Sequence, residues 1–380
     1  METLLTSQVF GRLSEAAQTL ANQEVRLWKE QGGRVIGYFC SSVPEEVFTA
    51  AGFLPFRMRA TGSSGTEMSD AFFSSINCSF PRHCFNQALK GEFGFLDGLV
   101  LYNSCDNVRR VYDHWIRQMD TPFVHFMSIP RRAEELQVQW YRDELRRLVD
   151  ETENHFGVSI GDEELEEAIT VHNEARRLQR ALCDLRKKDK PPITGAEVLA
   201  VTVAGTAMRK DTFNRVLAEL LQELAASEGK GGYRARLMIL GGILDDPGYV
   251  GVIEDQGGLV VTDSTCFGTR IFWEDVDETS DPLSALARYY VADRPSCPRV
   301  FGLYEKRSDL WRQLVREFRV DGVVLERLTF CDNWGFEQFT IQDDFREWGI
   351  PLLMLDREYV SGGIGQLRTR VQAFLETIGR

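Results

Sequence analysis

Three features of the sequence predict an α/β fold with two parallel-sheet domains. Short apolar runs of strand length alternate with helical stretches through both outer regions of the chain, the pattern of parallel sheets covered by helices on both faces. The two regions also share a signature: Asp97-Gly98 precedes Cys105-Asp106-Asn107, and Asp321-Gly322 precedes Cys331-Asp332-Asn333. Each signature leads into a helical stretch and then a strand opening with proline, Pro122 or Pro351, and each region earlier carries a strand, a proline, a helix and a glycine (Pro44 to Gly52, Pro247 to Gly257). Matched features in the same order point to an internally duplicated unit, Rossmann-like or flavodoxin-like, with additional helices.

In chain order, Val9 to Lys29 reads as one amphipathic helix closed by Gly32-Gly33, within an N-terminal segment 1–30. A first α/β domain is expected over 31–132. Its strands are Arg34–Phe39, Leu54–Met58, Asp97–Tyr102 and Pro122–Met127, with a short helix opened by Pro44 and two acids and closed by Gly52. Residues 133–228 form a helical region: Ala133–Phe156, Asp162–Lys187 and Asp211–Ser227 carry helical periodicity with dense charge. After the flexible Gly229-Lys-Gly-Gly232, a second α/β domain is expected over 229–380. Its strands are Ala235–Leu240, Gly258–Thr262, Asp321–Leu325 and Pro351–Leu355, and its final helix is Gln366–Ile378.

The composition agrees with a multi-domain globular chain. At about 150 residues per domain, 380 residues make two or three domains, and 43% hydrophobic with 27% charged residues exclude disorder, collagen and coiled coil. A net charge of -13 without basic clusters argues against nucleic acid as a partner. No apolar run is long enough for a membrane span, and Met-Glu-Thr-Leu-Leu-Thr-Ser lacks the basic start and apolar stretch of a secretory signal, so a cytoplasmic location is expected.

The eight cysteines, at 40, 78, 84, 105, 183, 266, 297 and 331, carry the functional signal. None form a Cys-x-x-Cys pair, which argues against zinc ribbons and thioredoxin-type motifs. Cys40, Cys105, Cys266 and Cys331 each follow the carboxyl end of an expected strand, the edge where open α/β sheets bind ligands. Packing cysteines belong inside strands and helices, and Cys183 and Cys84 are read that way. Soft thiolates without paired spacing, converging from two domains, suit an iron–sulfur cluster better than zinc. Cys78 stands near Arg82 and His83, neighbours expected to favour its thiolate or an anionic ligand.

Several motifs resemble one family jointly: Gly37-Tyr-Phe-Cys40 with Val43-Pro-Glu-Glu and Ala50-Ala-Gly52; Ser69-Asp-Ala with Cys78-x-x-Pro-Arg82; Ser104-Cys-Asp-x-x-Arg109; Cys266-x-Gly-x-Arg270; Phe330-Cys-Asp332; and Gly365-Gln-x-x-Thr-Arg370-x-x-Ala-Phe374. The chain resembles the subunits of 2-hydroxyacyl-CoA dehydratase and benzoyl-CoA reductase, anaerobic radical enzymes of CoA thioesters. The resemblance implies a [4Fe–4S] cluster on Cys78, Cys105 and Cys331 with one iron left open, where an acyl-CoA receives a single electron to become a ketyl-type radical. It also implies a homologous sister subunit and a separate ATP-hydrolysing iron–sulfur activator.

Cys40, Cys266 and Cys297 match extra cysteines of a related branch of homodimeric ATP-dependent reductases. There, six thiolates carry a double-cubane [8Fe–9S] cluster. Three ligands are the preferred expectation and six the alternative. A second alternative is an electron-transfer subunit with no substrate pocket. Other classes find no support: Gly241-Gly-Ile-Leu is no phosphate loop, Gly362-Gly-Ile-Gly365 lacks the setting of a dinucleotide site, and no Gly-x-Ser-x-Gly occurs.

Overall fold

The computed structural model describes residues 7–360 and 362–378. The described residues open with two helices, α1 (Gln8–Gln18) and α2 (Gln23–Glu30), where periodicity alone predicts one. Asn22 divides them: its Oδ1 accepts from Val25 N–H at 2.9 Å, capping α2, while its buried Nδ2 donates to Ala207 O at 3.2 Å. A cap residue inside an unbroken apolar period is easily passed over, because the stripe continues through the bend.

The first sheet contains β1 (Val35–Tyr38), β2 (Leu54–Arg57), β3 (Gly98–Tyr102) and β4 (Phe123–Met127), all parallel, in the order β2-β1-β3-β4. Helices α3 (Glu45–Ala50), α4 (Ser79–Leu89) and α5 (Asp106–Gln118) connect them. Then come α6 (Glu135–Phe156), α7 (Asp162–Asp184), α8 (Gly195–Ala204) and α9 (Lys210–Ala225). The second sheet contains β5 (Ala235–Gly241), β6 (Gly258–Ser264), β7 (Gly322–Leu328) and β8 (Leu352–Arg357), in the order β6-β5-β7-β8. Helices α10 (Pro247–Glu254), α12 (Tyr304–Glu317), α13 (Asp332–Glu347) and α14 (Ile364–Ile378) accompany it, while α11 (Pro282–Arg288), between α10 and α12 in the chain, packs back on α6 and α7. The two sheets share one strand order, as a duplicated unit requires.

Period-two packing explains why the central strands read as unbroken apolar runs. Leu99 and Leu101 of β3 point into one core with α4 and α5, whereas Val100 and Tyr102 point into another with α6, α7 and residues 276–291. The second sheet shares its core with α1, α8 and α9. Helix α8 escapes a search for amphipathic period because it has almost no polar face: Val198 to Ala204 are all buried. Its start is nonetheless written in the sequence, as Thr194 Oγ1 accepts from Glu197 N–H and the Glu197 carboxylate accepts from Thr194 N–H.

Buried ion pairs fasten the helical region to the first sheet. Arg176 of α7 donates to Glu46 of α3, which also accepts from Tyr290 Oη at 2.8 Å. Lys210 donates to Glu45 Oε2 at 2.6 Å.

Candidate functional site

In an open parallel sheet the space beyond the strand carboxyl ends is widest where neighbouring connections run to opposite faces, here between β1 and β3 and between β5 and β7. Cys40 lies just past β1, Cys105 past β3, Cys266 past β6 and Cys331 past β7. Cys297 follows the π-helical turn Tyr289–Asp293 that ends α11. These five and Cys78 line one cavity of about 80 Å³, walled also by Phe39, Phe80, Ile243 and Trp334. All six candidate cysteines therefore meet. Cys84 and Cys183 do not: they are buried inside α4 and α7 as packing residues.

Cys78, Cys105 and Cys331 share a local structure, each being the N-cap residue of a helix (α4, α5 and α13). Three helix amino ends, with their unpaired N–H groups and positive dipole ends, thus surround the cavity. The N–H groups of Phe80, of Asn107 and Val108, and of Trp334 favour the respective thiolates, though none closes a full capping hydrogen bond. Phe330, at φ 62°, makes the left-handed turn that sets Cys331 at its helix end.

Burial works against ionisation. It pushes the Cys78 thiol up to about 12, raises Cys105, and raises Cys331 well above the usual range. Arg82 does not offset this at Cys78, contrary to the sequence expectation, because its guanidinium turns to Asp70 Oδ1 at 2.6 Å and Thr66 Oγ1 at 3.1 Å. His83 pairs with Ser63 Oγ at 2.8 Å. Such thiols lose their protons when cations arrive to replace them, which is how metal binding and deprotonation are linked.

The other three thiols have a more cationic surround. Burial raises Cys297 to about 11, chiefly with the charge of Cys266 beside it. At Cys40 burial is outweighed by Arg57, by the Tyr102 Oη–Sγ hydrogen bond at 2.8 Å, by the Ser42 N–H and by Arg294, so this thiol is lowered. Arg270 Nη2 donates to Cys266 Sγ at 2.9 Å and to Gly241 O at 3.0 Å. The mutual charge effects run across all of them: Cys331 feels Cys78, Cys105 and Cys297, Cys105 feels Cys40, and Cys297 feels Cys266 and Cys40.

The cysteine spacing gave no sign of the residues that hold these loops. Asn107 Oδ1 accepts from Cys78 N–H at 3.2 Å and from Asn77 Nδ2 at 2.7 Å. Arg299, two residues after Cys297, donates to Ser104 O, Ile129 O and Pro130 O, tying its segment to the loop of Cys105. A buried arginine clamping backbone carbonyls has no short-range pattern, so only Arg270, four residues beyond Cys266, could have been singled out from sequence.

The donor set suits an extended cluster better than a single ion. Among the described residues no three His, Cys, Asp or Glu side chains stand close enough to hold one metal ion. Thiolates about 2.3 Å from a single zinc would converge on a point, whereas these six line the wall of a space. A cubane has its irons at the corners and needs ligands spread around it.

Comparison with known proteins places the chain. Residues 40–378 match the family model described as 2-hydroxyglutaryl-CoA dehydratase, D-component. The chain belongs to this family. Within it, the chain is 25% identical to a subunit of the benzoyl-CoA reductase of Thauera aromatica, covering 98% of each chain. It is 28% identical to "Putative dehydratase subunit YjiM" of Escherichia coli (strain K12), over 97% of this chain and 98% of that one. It is 25% identical to "(R)-2-hydroxyglutaryl-CoA dehydratase, subunit beta" of Acidaminococcus fermentans, over 97% and 98%. The resemblance to 2-hydroxyacyl-CoA dehydratase and benzoyl-CoA reductase subunits, carried jointly by the motifs from Gly37 to Phe374, is borne out. No helix among the described residues is long and apolar enough to cross a membrane.

Proposed function

We propose that this chain is the iron–sulfur component of an acyl-CoA dehydratase or reductase, with a [4Fe–4S] cluster on Cys78, Cys105 and Cys331. The observation that carries this is one cavity lined by cysteines from both sheets, three of them at helix amino ends. When bound, the cluster supplies single electrons to a CoA thioester, with one iron left without a thiolate. The chain's own part is to hold the three sulfurs apart, to direct backbone N–H groups toward them, and to exclude water with Phe39, Phe80 and Trp334. The names of the relatives, each a subunit of an enzyme of CoA thioesters, support the substrate class and a sister subunit beside this chain. An ATP-dependent activator would deliver the electrons.

A second reading is favoured by a specific observation: Cys40, Cys266 and Cys297 wall the same cavity as the other three, with Arg57, Arg294 and Arg270 close by. In this reading all six thiolates carry a double-cubane [8Fe–9S] cluster, and Arg57, Arg270 and Arg294 offset the added negative charge. Anaerobically purified protein should show broad visible absorbance that bleaches on reduction and is lost in Cys105→Ser. A colourless wild-type protein would end both readings.

A further inference from the structure

We infer that four buried arginines, Arg57, Arg270, Arg294 and Arg299, raise the reduction potential of the cluster, with Arg57 and Arg270 carrying most of the effect. This inference rests on the proposed function, since it concerns that cluster, and it applies to three thiolate ligands or six. All four residues are more than nine-tenths buried, and among the described residues none forms an ion pair with a carboxylate. Arg176 and Arg307 are as deeply buried, yet each pairs with an acid, Glu46 or Glu337.

All four approach the cysteine cavity. Arg57 Nη1 donates to Cys266 O at 2.5 Å, and Arg270 Nη2 donates to Cys266 Sγ at 2.9 Å. Arg294 donates to Ser41 O and Ser42 Oγ, on the two residues after Cys40, and Arg299 donates to Ser104 O, beside Cys105. Each guanidinium also lies against an aromatic ring: Arg57 is 3.8 Å from the Phe267 centroid, Arg270 5.1 Å from Trp334, Arg294 4.8 Å from Tyr290 and Arg299 5.1 Å from Tyr102. Trp334 walls the cavity, and Tyr102 Oη donates to Cys40 Sγ at 2.8 Å. Stacking of this kind fixes a cation in place without neutralising it.

A buried guanidinium without a counter-ion is unfavourable, so four of them around one cavity call for anions there. Arg57 Nε and Nη2, Arg270 Nη1 and Arg294 Nε are also buried without a hydrogen-bond partner. Thiolates and a thiolate-bound cluster supply the missing negative charge. At Cys40 burial is already outweighed, with Arg57 first among the groups that do so. Reduction adds one electron, taken from the activator in function and from titanium(III) citrate in the test, and makes or breaks no bond to this chain. A fixed, buried cation favours that added charge, whereas the thiolates and the net charge of -13 oppose it. Arg57 and Arg270 act most strongly because they alone of the four hydrogen-bond to a cavity cysteine itself.

The test is an anaerobic reductive titration of the iron-loaded protein, followed by bleaching of its visible absorbance. In Arg57→Gln and Arg270→Gln reduction should become about tenfold less favourable or more, a fall of about 59 mV or more for one electron. Arg270→Lys keeps the charge and should return most of that loss. Arg186 is the control: it is buried and lacks a carboxylate too, but it donates to Cys183 Sγ at 3.1 Å, away from the cavity. Arg186→Gln should leave the potential as in wild type. Where a glutamine variant loses its iron, Arg294→Gln, which donates to no cysteine atom, takes its place and should shift the potential in the same direction. Wild-type potentials in iron-replete variants, or an equal fall in Arg186→Gln, would overturn the inference while the proposed function stands. If all three glutamine variants lose their iron, the arginines hold the cluster rather than tune it, and the inference falls. Wild-type protein with no absorbance to bleach would instead end the proposed function.

Discussion

Asn107 holds Cys78 from across the cavity, its Oδ1 accepting the Cys78 N–H at 3.2 Å. Asn107 is the second residue of the helix that Cys105 caps, so one hydrogen bond links two candidate ligands. In Asn107→Ala the buried Cys78 N–H loses its acceptor, at a cost of about 1–3 kcal/mol. The melting temperature should fall, and iron should be retained less well through gel filtration. Unchanged values for both would show that the two loops are held independently.

Separate cysteine substitutions should divide into two classes. Serine at Cys78, Cys105 or Cys331 should remove visible absorbance and iron together, because these thiols share one cavity. Cys84→Ala and Cys183→Ala lose only packing, worth about 1–2 kcal/mol, and should keep their full iron complement. Iron loss in either control would mean that loading tracks general stability rather than ligation.

Glu46 is fully buried and accepts from both Arg176 and Tyr290. Glu46→Ala leaves the Arg176 guanidinium buried without its counter-charge, which costs about 3–5 kcal/mol. Chemical denaturation should show a loss of that size. A loss under about 1 kcal/mol would place the pair in the class of solvated surface bridges.

His172 should make stability depend on pH. Burial, then the nearby Lys210, holds its imidazole well below the ordinary range, against the pull of Glu45. The native ring stays neutral while the unfolded one takes a proton below about pH 6.5. The unfolded state then binds more protons, so this contribution to stability is lost as pH falls from about 7 toward the folded pKa. Between pH 5 and 7.5 the melting temperature of His172→Gln should vary less than that of wild type. Equal slopes would show that His172 takes up its proton over the same pH range in the folded and unfolded chain, so that burial does not hold it neutral.

Strand positions and the doubled strand order were legible because buried parallel strands are apolar throughout and bounded by Asp-Gly and proline. The convergence of Cys40, Cys105, Cys266 and Cys331 followed from strand-end placement alone. Other features lacked a local signal. Helix α8 is buried nearly all round and shows no period, and the break at Asn22 depends on Ala207, 185 residues away. Arg299 acts on carbonyls of Ser104 and Ile129, contacts that exist only once the two halves of the chain have met.

The most direct measurement is iron and acid-labile sulfide per chain in protein purified without oxygen, for wild type and Cys105→Ala. A cluster on Cys78, Cys105 and Cys331 gives about four irons with matching sulfide, and the six-thiolate arrangement about eight. In either case the count should collapse in Cys105→Ala while Cys183→Ala keeps it. Wild-type protein with less than about one iron, or one whose iron is indifferent to Cys105, would contradict a cluster in this cavity.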